Sequence, residues 1–262
     1  MGGVTTPFDT AIAEIAGAGY HNHRLETHSD TVSTGLINDL LTYCAPLRQD
    51  IDGGVVRVWN NVSAPGDRLR KVDLFIGEPD PDGNPDIHKL RIAVENKSVI
   101  TAHRNRTNRF DDLKKVLGAV HAARPEALLI ATVLVGLAEK VLNVPDQVRK
   151  FYRDREREFR TSVLPRLSSG DAKLWEDFGW AVSRNTSNDP IRTIQLLRSL
   201  PTRPPGLTHI EGYDFVLLVP VSIDNVNPPM LPRPNSVGID VDAEYDRLLK
   251  QMCSAYTARW HM

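Results

Sequence analysis

Asp73, Glu95 and Lys97 are the residues whose types and spacing could carry out hydrolysis of a phosphodiester bond. Glu95 and Lys97 stand two places apart at the end of the apolar run KLRIAVENKSVI. Because side chains alternate across a strand, this pair would emerge on one face while Val94 and Asn96 take the other. The sequence therefore places an acid beside a base at the end of an otherwise apolar strand.

A hairpin would bring Asp73 to this pair. The runs KVDLFIG at 71–77 and KLRIAVENKSVI are predicted strands, and EPDPDGNPD at 78–86 carries the Pro and Gly residues of a turn. A turn centred near Asn84 is equidistant in sequence from Asp73 and Glu95, which predicts that they pair. Opposed residues have Cβ atoms about 4.5–5.5 Å apart, and two carboxylates at that separation can bind one Mg²⁺ ion.

Two neighbouring carboxylates repel each other at the edge of a core, so positive charge must compensate them. Lys97 could do so alone, as part of a surface ion pair at a strand end. Lys97 together with Mg²⁺ would instead form a reaction centre: the metal polarises a phosphate and lowers the pKa of a bound water, while Lys97 orients that water or stabilises the developing charge.

Asp73 followed by Glu95-Asn96-Lys97 resembles the D…ExK signature of the PD-(D/E)XK nuclease superfamily, whose best-known members are type II restriction endonucleases. The resemblance covers roughly residues 29–135. It implies Mg²⁺-dependent cleavage of double-stranded DNA, with Asp73, Glu95 and the backbone carbonyl of Asn96 as metal ligands and Asp73, Glu95 and Lys97 as catalytic residues. Recognition of a palindromic site would favour a homodimer.

Two features depart from the family pattern. The middle residue of the motif is usually apolar because it faces the core, so Asn96 would need hydrogen-bond partners there. Val72 stands where the family has proline, although Pro-Asp pairs occur in the loop and the last of them ends at Asp86. Nine residues of strand at about 3.3 Å each put Asp86 roughly 30 Å from Glu95, so Asp73 is the preferred acid.

A basic and amide-rich segment, SVITAHRNRTNRF, follows Lys97 directly. Arg and Asn side chains read guanine and adenine edges, and they also hold phosphates. A solvated approach to the next helix is the alternative interpretation. The predicted DNA-binding residues are His103, Arg104, Asn105, Arg106, Asn108 and Arg109. In the Arg-rich stretch 146–164, interspersed acids favour a salt-bridged helix face, and Glu26 is a candidate auxiliary acid.

The elements that must position these residues form an α/β core. Helical spacing of apolar residues and runs of β-branched residues predict the order helix, three-stranded antiparallel meander, helix, strand. This order resembles the restriction-endonuclease-like core of the superfamily named above. Helical and strand additions follow at the C-terminal side. We predict one nuclease domain over 1–262, with a core at about 29–135 and elaborations at 136–262. The predicted elements are helices at about 29–47, 109–123, 146–164 and 174–182 and strands at 55–62, 71–77, 89–100, 127–138 and 213–223, with a C-terminal helix from Glu244.

Composition is that of a globular protein of 262 residues, with 41% hydrophobic and 25% charged residues. Lys and Arg total 32 against 33 Asp and Glu, so the overall charge neither supports nor excludes a nucleic-acid partner. The longest apolar run is too short to span a bilayer, which predicts no membrane partner. Cys44 and Cys253 form no CxxC pair, so we expect reduced thiols and a cytoplasmic protein.

The sequence thus predicts a Mg²⁺-dependent endonuclease, a sequence-specific type II restriction enzyme in the first instance. A repair or recombination nuclease, and a non-catalytic DNA-binding protein with a decayed nuclease site, remain alternatives. The chain has no P-loop, GxGxxG or GxSxG motif, so nucleotide-driven and acyl-transfer chemistry have no support.

Overall fold

The structure is a computed structural model that describes residues 5–17, 27–63, 71–100, 103–143, 146–163, 165–166 and 181–261. The strands are β1 (Arg57–Ser63), β2 (Lys71–Pro79), β3 (Pro85–Val99), β4 (Leu128–Gly136), β5 (Lys140–Asn143), β6 (Ala181–Arg184) and β7 (Phe215–Val221). The helices are α1 (Pro7–Gly17), α2 (Thr27–Tyr43), α3 (Ala45–Asp52), α4 (Arg106–Ala123), α5 (Asp146–Phe151), α6 (Glu156–Glu158), α7 (Asp189–Arg198) and α8 (Val241–Trp260).

A mixed five-stranded sheet, in the order β1-β2-β3-β4-β7, forms the centre of the fold. β1, β2 and β3 are an antiparallel meander, whereas β4 is parallel to β3 and β7 is parallel to β4. β5 and β6 pair separately. The predicted α/β class is confirmed, and the expected succession of helix, meander, helix and strand is present in α2, β1 to β3, α4 and β4.

Burial on both faces explains the composition of β4. Its first six residues, LLIATV, are all buried, since parallel strands in the middle of a sheet are covered by helices on either side. α4 contacts β3, and α8 contacts β7. At the end of the strand, a Cβ atom on Gly136 would lie 2.5 Å from the carbonyl oxygen of Ile100, so only glycine allows the chain after β3 to pass this close.

The hairpin between β2 and β3 is longer than predicted. Pro79 pairs with Pro85, so both prolines belong to strands, and the connection is only Asp80–Asn84. In that turn the Asp80 carboxylate accepts hydrogen bonds from the backbone amides of Asp82 and Asn84, at 2.9 and 2.7 Å. The strand pairing changes register on either side of Gly77, so the pairs at the tip are out of step with those further along the strands.

Three predicted helices differ from the structure. The helix expected at 29–47 is divided into α2 and α3, because Pro46 lies in the first turn of α3, where its missing N–H is tolerated. The helix expected at 146–164 is interrupted between α5 and α6. Of the helix expected at 174–182, positions up to 180 lie outside the described residues, and Ala181 begins β6 instead.

The expectation of reduced thiols is wrong, because Cys44 and Cys253 form a disulfide with Cα atoms 5.2 Å apart. The bond joins the junction of α2 and α3 to the middle of α8, across a sequence separation of 209 residues. A pairing at that distance leaves no motif in the sequence. The ground on which we expected a cytoplasmic setting is thereby removed. Every helix within the described ranges is too short or too polar to traverse a bilayer.

Cys253→Ser is expected to lower the free energy of unfolding by about 2–4 kcal/mol, since the long closed loop restricts the unfolded chain. Urea unfolding of the variant and of the oxidised and reduced wild type measures the effect. The reduced wild type should have the same free energy of unfolding as the variant. Two free thiols titrated in unfolded, unreduced protein would contradict the bond.

Candidate functional site

Asp73 and Glu95 lie on adjacent antiparallel strands in the predicted register. Leu74 pairs with Val94 and Phe75 with Ala93, so one further step along the two strands places Asp73 opposite Glu95. The backbone amide of Asn96 donates a 2.6 Å hydrogen bond to Oδ2 of Asp73. The hairpin thus brings the carboxylate of β2 to the backbone of the Glu-Asn-Lys segment of β3.

Glu95 is a buried carboxylate with one oxygen engaged and the other without a partner among the described residues. Its side chain is only 2% exposed, and Oε1 forms an ion pair with the ammonium group of Lys97. Oε2 is buried and accepts no hydrogen bond from any residue that the structure describes. An unsatisfied buried polar atom destabilises the fold, and it marks a position where a donor or a cation fits.

Burial raises the pKa of Glu95 to about 7; the positive charge of Lys97 opposes this shift, and the negative charges of Asp73 and Asp112 add to it. Burial also raises the pKa of Asp73, against the amide of Asn96 and the charge of Lys97. Two carboxyls with raised pKa values on adjacent strands are typical of functional sites. Sequence reasoning missed Asp112, because its approach to Glu95 depends on how α4 packs on β3.

The side chain of Asn96 has the partners that a polar residue in this position needs. Its Nδ2 donates to Oγ of Ser29 at 3.0 Å and to Oγ of Ser33 at 2.8 Å, both on α2. Its Oδ1 accepts from Oγ1 of Thr132 on β4 at 2.6 Å. The spacing of four residues between Ser29 and Ser33 places both on one helix face, which was a readable signal for a polar contact.

His103 occupies an internal position that does not support its predicted role in DNA binding. It is 1% exposed, with Nδ1 2.7 Å from Oγ1 of Thr193 and Nε2 2.9 Å from the carbonyl oxygen of Gly136. Burial lowers the pKa of His103, which favours the neutral ring. The residue instead anchors the start of α4 to α7 and to the end of β4.

The other predicted DNA-binding residues divide into two groups. Arg106 donates to the carbonyl oxygen of His103 and lies 3.4 Å from Asp189, and Arg109 lies 3.3 Å from Asp112. Those two arginines are therefore held by acids of the same chain. The exposed members, available to a ligand, are Arg104, Asn105 and Asn108.

The oxygen atoms at this site fit a hard divalent cation. Within the described parts of the chain, no group of three or more His, Cys, Asp or Glu side chains is arranged to hold a metal. The site offers the carboxylates of Asp73 and Glu95, and Mg²⁺ in proteins commonly keeps several waters alongside one or two carboxylates. The unpartnered Oε2 of Glu95 is the observation that favours the fit. Glu26 lies outside the described residues.

No protein-family model, curated protein or solved structure matches this chain.

The raised pKa of Glu95 predicts how stability depends on pH. The folded protein holds this proton more tightly than the unfolded chain, whose carboxyl has an ordinary pKa of 4.5. The contribution of Glu95 to the free energy of unfolding is therefore fully present below pH 4.5. It falls by up to about 3 kcal/mol as the pH rises to about 7. Urea unfolding between pH 5 and 8 tests this against Glu95→Gln, which should lack that decline. Parallel curves for the two proteins would contradict the shift.

Proposed function

We propose that this protein is a Mg²⁺-dependent endonuclease of the PD-(D/E)XK type that hydrolyses phosphodiester bonds in double-stranded DNA, as a sequence-specific restriction enzyme. The observation that carries the proposal is the unpartnered Oε2 of buried Glu95, which lies beside Lys97 and opposite Asp73. Within the described part of the chain this acceptor has no donor, and a cation held by both acids would satisfy it.

Asp73, Glu95 and the backbone carbonyl of Asn96 would hold the cation. When bound, Mg²⁺ supplies Lewis-acid polarisation of the scissile phosphate and lowers the pKa of bound water. Lys97 carries a positive charge that can stabilise the anion developing on phosphorus oxygens or orient the attacking water. Its contact with Oε1 of Glu95 fixes the ammonium group at the position where both tasks are possible.

The protonation of Glu95 links activity to pH. A protonated carboxyl is a poor ligand for a cation, so the Glu95 side chain must be ionised to contribute. Because the pKa of Glu95 is about 7 in the folded protein, cleavage at limiting Mg²⁺ should rise with pH across neutrality. Saturating Mg²⁺ should shift that rise to lower pH, since the cation competes with the proton.

The beginning of α4 is the proposed DNA contact. Arg104, Asn105 and Asn108 are exposed there, shortly after the catalytic strand ends, and such side chains hold phosphates or read base edges. Arg106 and Arg109 stay in the proposed surface, although each is paired with an acid.

Arg104→Ala is expected to weaken DNA binding regardless of sequence. The slope of log K against log salt should fall by about 1, as for loss of one phosphate contact. Fluorescence anisotropy with a labelled duplex in EDTA, which prevents cleavage, measures both quantities. Arg192→Ala is the matched control, since Arg192 is an exposed arginine on α7. An equal loss in both variants would show only a general effect of charge.

Cleavage of plasmid and phage DNA by the wild-type protein with Mg²⁺ tests the function. Discrete fragments support a restriction enzyme, and a homodimer in sedimentation would fit a palindromic site. Nicking or structure-dependent cutting indicates a repair or recombination nuclease instead. Binding without cleavage in Mg²⁺ or Mn²⁺ would refute the enzymatic proposal and leave a non-catalytic DNA-binding protein.

A further inference from the structure

We infer that Asn96 and Ser29 are positioning residues, which together fix the Asp73 carboxylate for the cation. The inference deepens the proposed function and rests on it for the identity of the bound ion. An apolar residue is usual at the middle of the ExK motif, whereas this chain has an amide there, bonded to two serines and a threonine.

The backbone carbonyl oxygen of Ser29 shows which end of the Asn96 side-chain amide carries the NH₂ group. Its Nδ2 lies 3.2 Å from the backbone carbonyl oxygen of Ser29, which can only accept, so the NH₂ group must face α2. The other end of the amide, Oδ1, then accepts from Thr132 on β4. Asn96 therefore ties α2, β3 and β4 together at the level of the site.

The same orientation directs the hydroxyl proton of Ser29. Because Nδ2 of Asn96 is the donor in their 3.0 Å contact, Oγ of Ser29 accepts there and its single proton stays free. The Ser29 side chain acts on the Asp73 carboxylate as a hydrogen-bond donor would, opposing the rise of the Asp73 pKa that burial causes. Asp73 thus receives two donors, the Ser29 hydroxyl and the 2.6 Å contact from the Asn96 backbone amide, and both are held in place by Asn96.

Ser33 provides a control within the same helix. Its hydroxyl is fully buried and accepts from Nδ2 of Asn96 at 2.8 Å. The hydroxyl that lowers the pKa of Asp73 is that of Ser29, one helical turn earlier. Removal of either serine hydroxyl therefore costs Asn96 one partner, and only removal of Ser29 also costs Asp73 a donor.

The test compares Ser29→Ala with Ser33→Ala by two measurements made without DNA. Titration calorimetry with Mn²⁺ should show affinity about 10-fold to 100-fold weaker for Ser29→Ala, as is usual when a group that orients a metal ligand is lost. Ser33→Ala should stay close to wild type. Hydrogen exchange of the Asn96 amide in metal-free protein should accelerate in Ser29→Ala and change little in Ser33→Ala, since this amide reports the position of the Asp73 carboxylate.

The outcomes separate this inference from the proposed function. Equal effects in both variants, or none in either, overturn the positioning role, because the serines would then only stabilise the fold. If the wild type binds no Mn²⁺, the metal-dependent function fails, and the exchange rate of the Asn96 amide alone decides the inference. Urea unfolding of both variants shows whether they remain folded under the conditions used.

Discussion

Glu95→Gln and Lys97→Met are each expected to lower the rate of DNA cleavage by about 10²–10³-fold or more. The first removes the charge that would hold a cation while it keeps the size of the side chain. The second removes the ammonium group that contacts Oε1 of Glu95. Single-turnover cleavage of supercoiled plasmid at saturating protein and Mg²⁺ measures the chemical step without interference from product release.

Lys89→Met is the matched control for Lys97→Met. Lys89 lies on the same strand, is exposed, and forms a 3.7 Å ion pair with Asp86 near the tip of the hairpin. We expect its cleavage rate to stay within about twofold of wild type, since exposed pairs contribute little. Retention of wild-type rates by Glu95→Gln would mean that the bonds are cut elsewhere on the protein.

Asp214→Asn is expected to destabilise the fold by about 3–5 kcal/mol, the largest effect on stability that the structure predicts. Asp214 is buried between the buried guanidinium groups of Arg203 and Arg259, at 3.0 and 2.6 Å. It also accepts from the amide of Leu129 and so joins the start of β7 to β4. Loss of its charge leaves two buried cations uncompensated. Urea unfolding measures the change in midpoint and slope.

Asp246→Asn is the control for that experiment. Asp246 pairs with Lys250 one turn along α8, but the two side chains are 57% and 58% exposed. The expected change is less than about 0.5 kcal/mol, because exposed ion pairs are screened by water. A comparably small effect for Asp214→Asn would mean that neighbouring groups, rather than this carboxylate, balance the two arginines.

Contacts that are close in sequence could be predicted from the sequence. The pairing of β2 with β3 follows from two runs of strand-forming residues around a short turn, and it places Asp73 opposite Glu95. Even there, the tip of the hairpin differs from the predicted loop, because the strands extend further than expected. The register shifts at Gly77 cannot be predicted from the alternation of side chains. The α/β class followed from the same local patterns.

The sequence by itself determined the acids, the lysine and the strands that carry them, because these depend on the local period of the chain. Only the tertiary structure decided which polar residues are internal. Asn96 is satisfied by a helix that lies 63 to 67 residues away, His103 bonds to Thr193 90 residues away, and the two cysteines meet across 209 residues. Such contacts arise when distant elements pack on one sheet, and no local pattern specifies which distant residue becomes the partner.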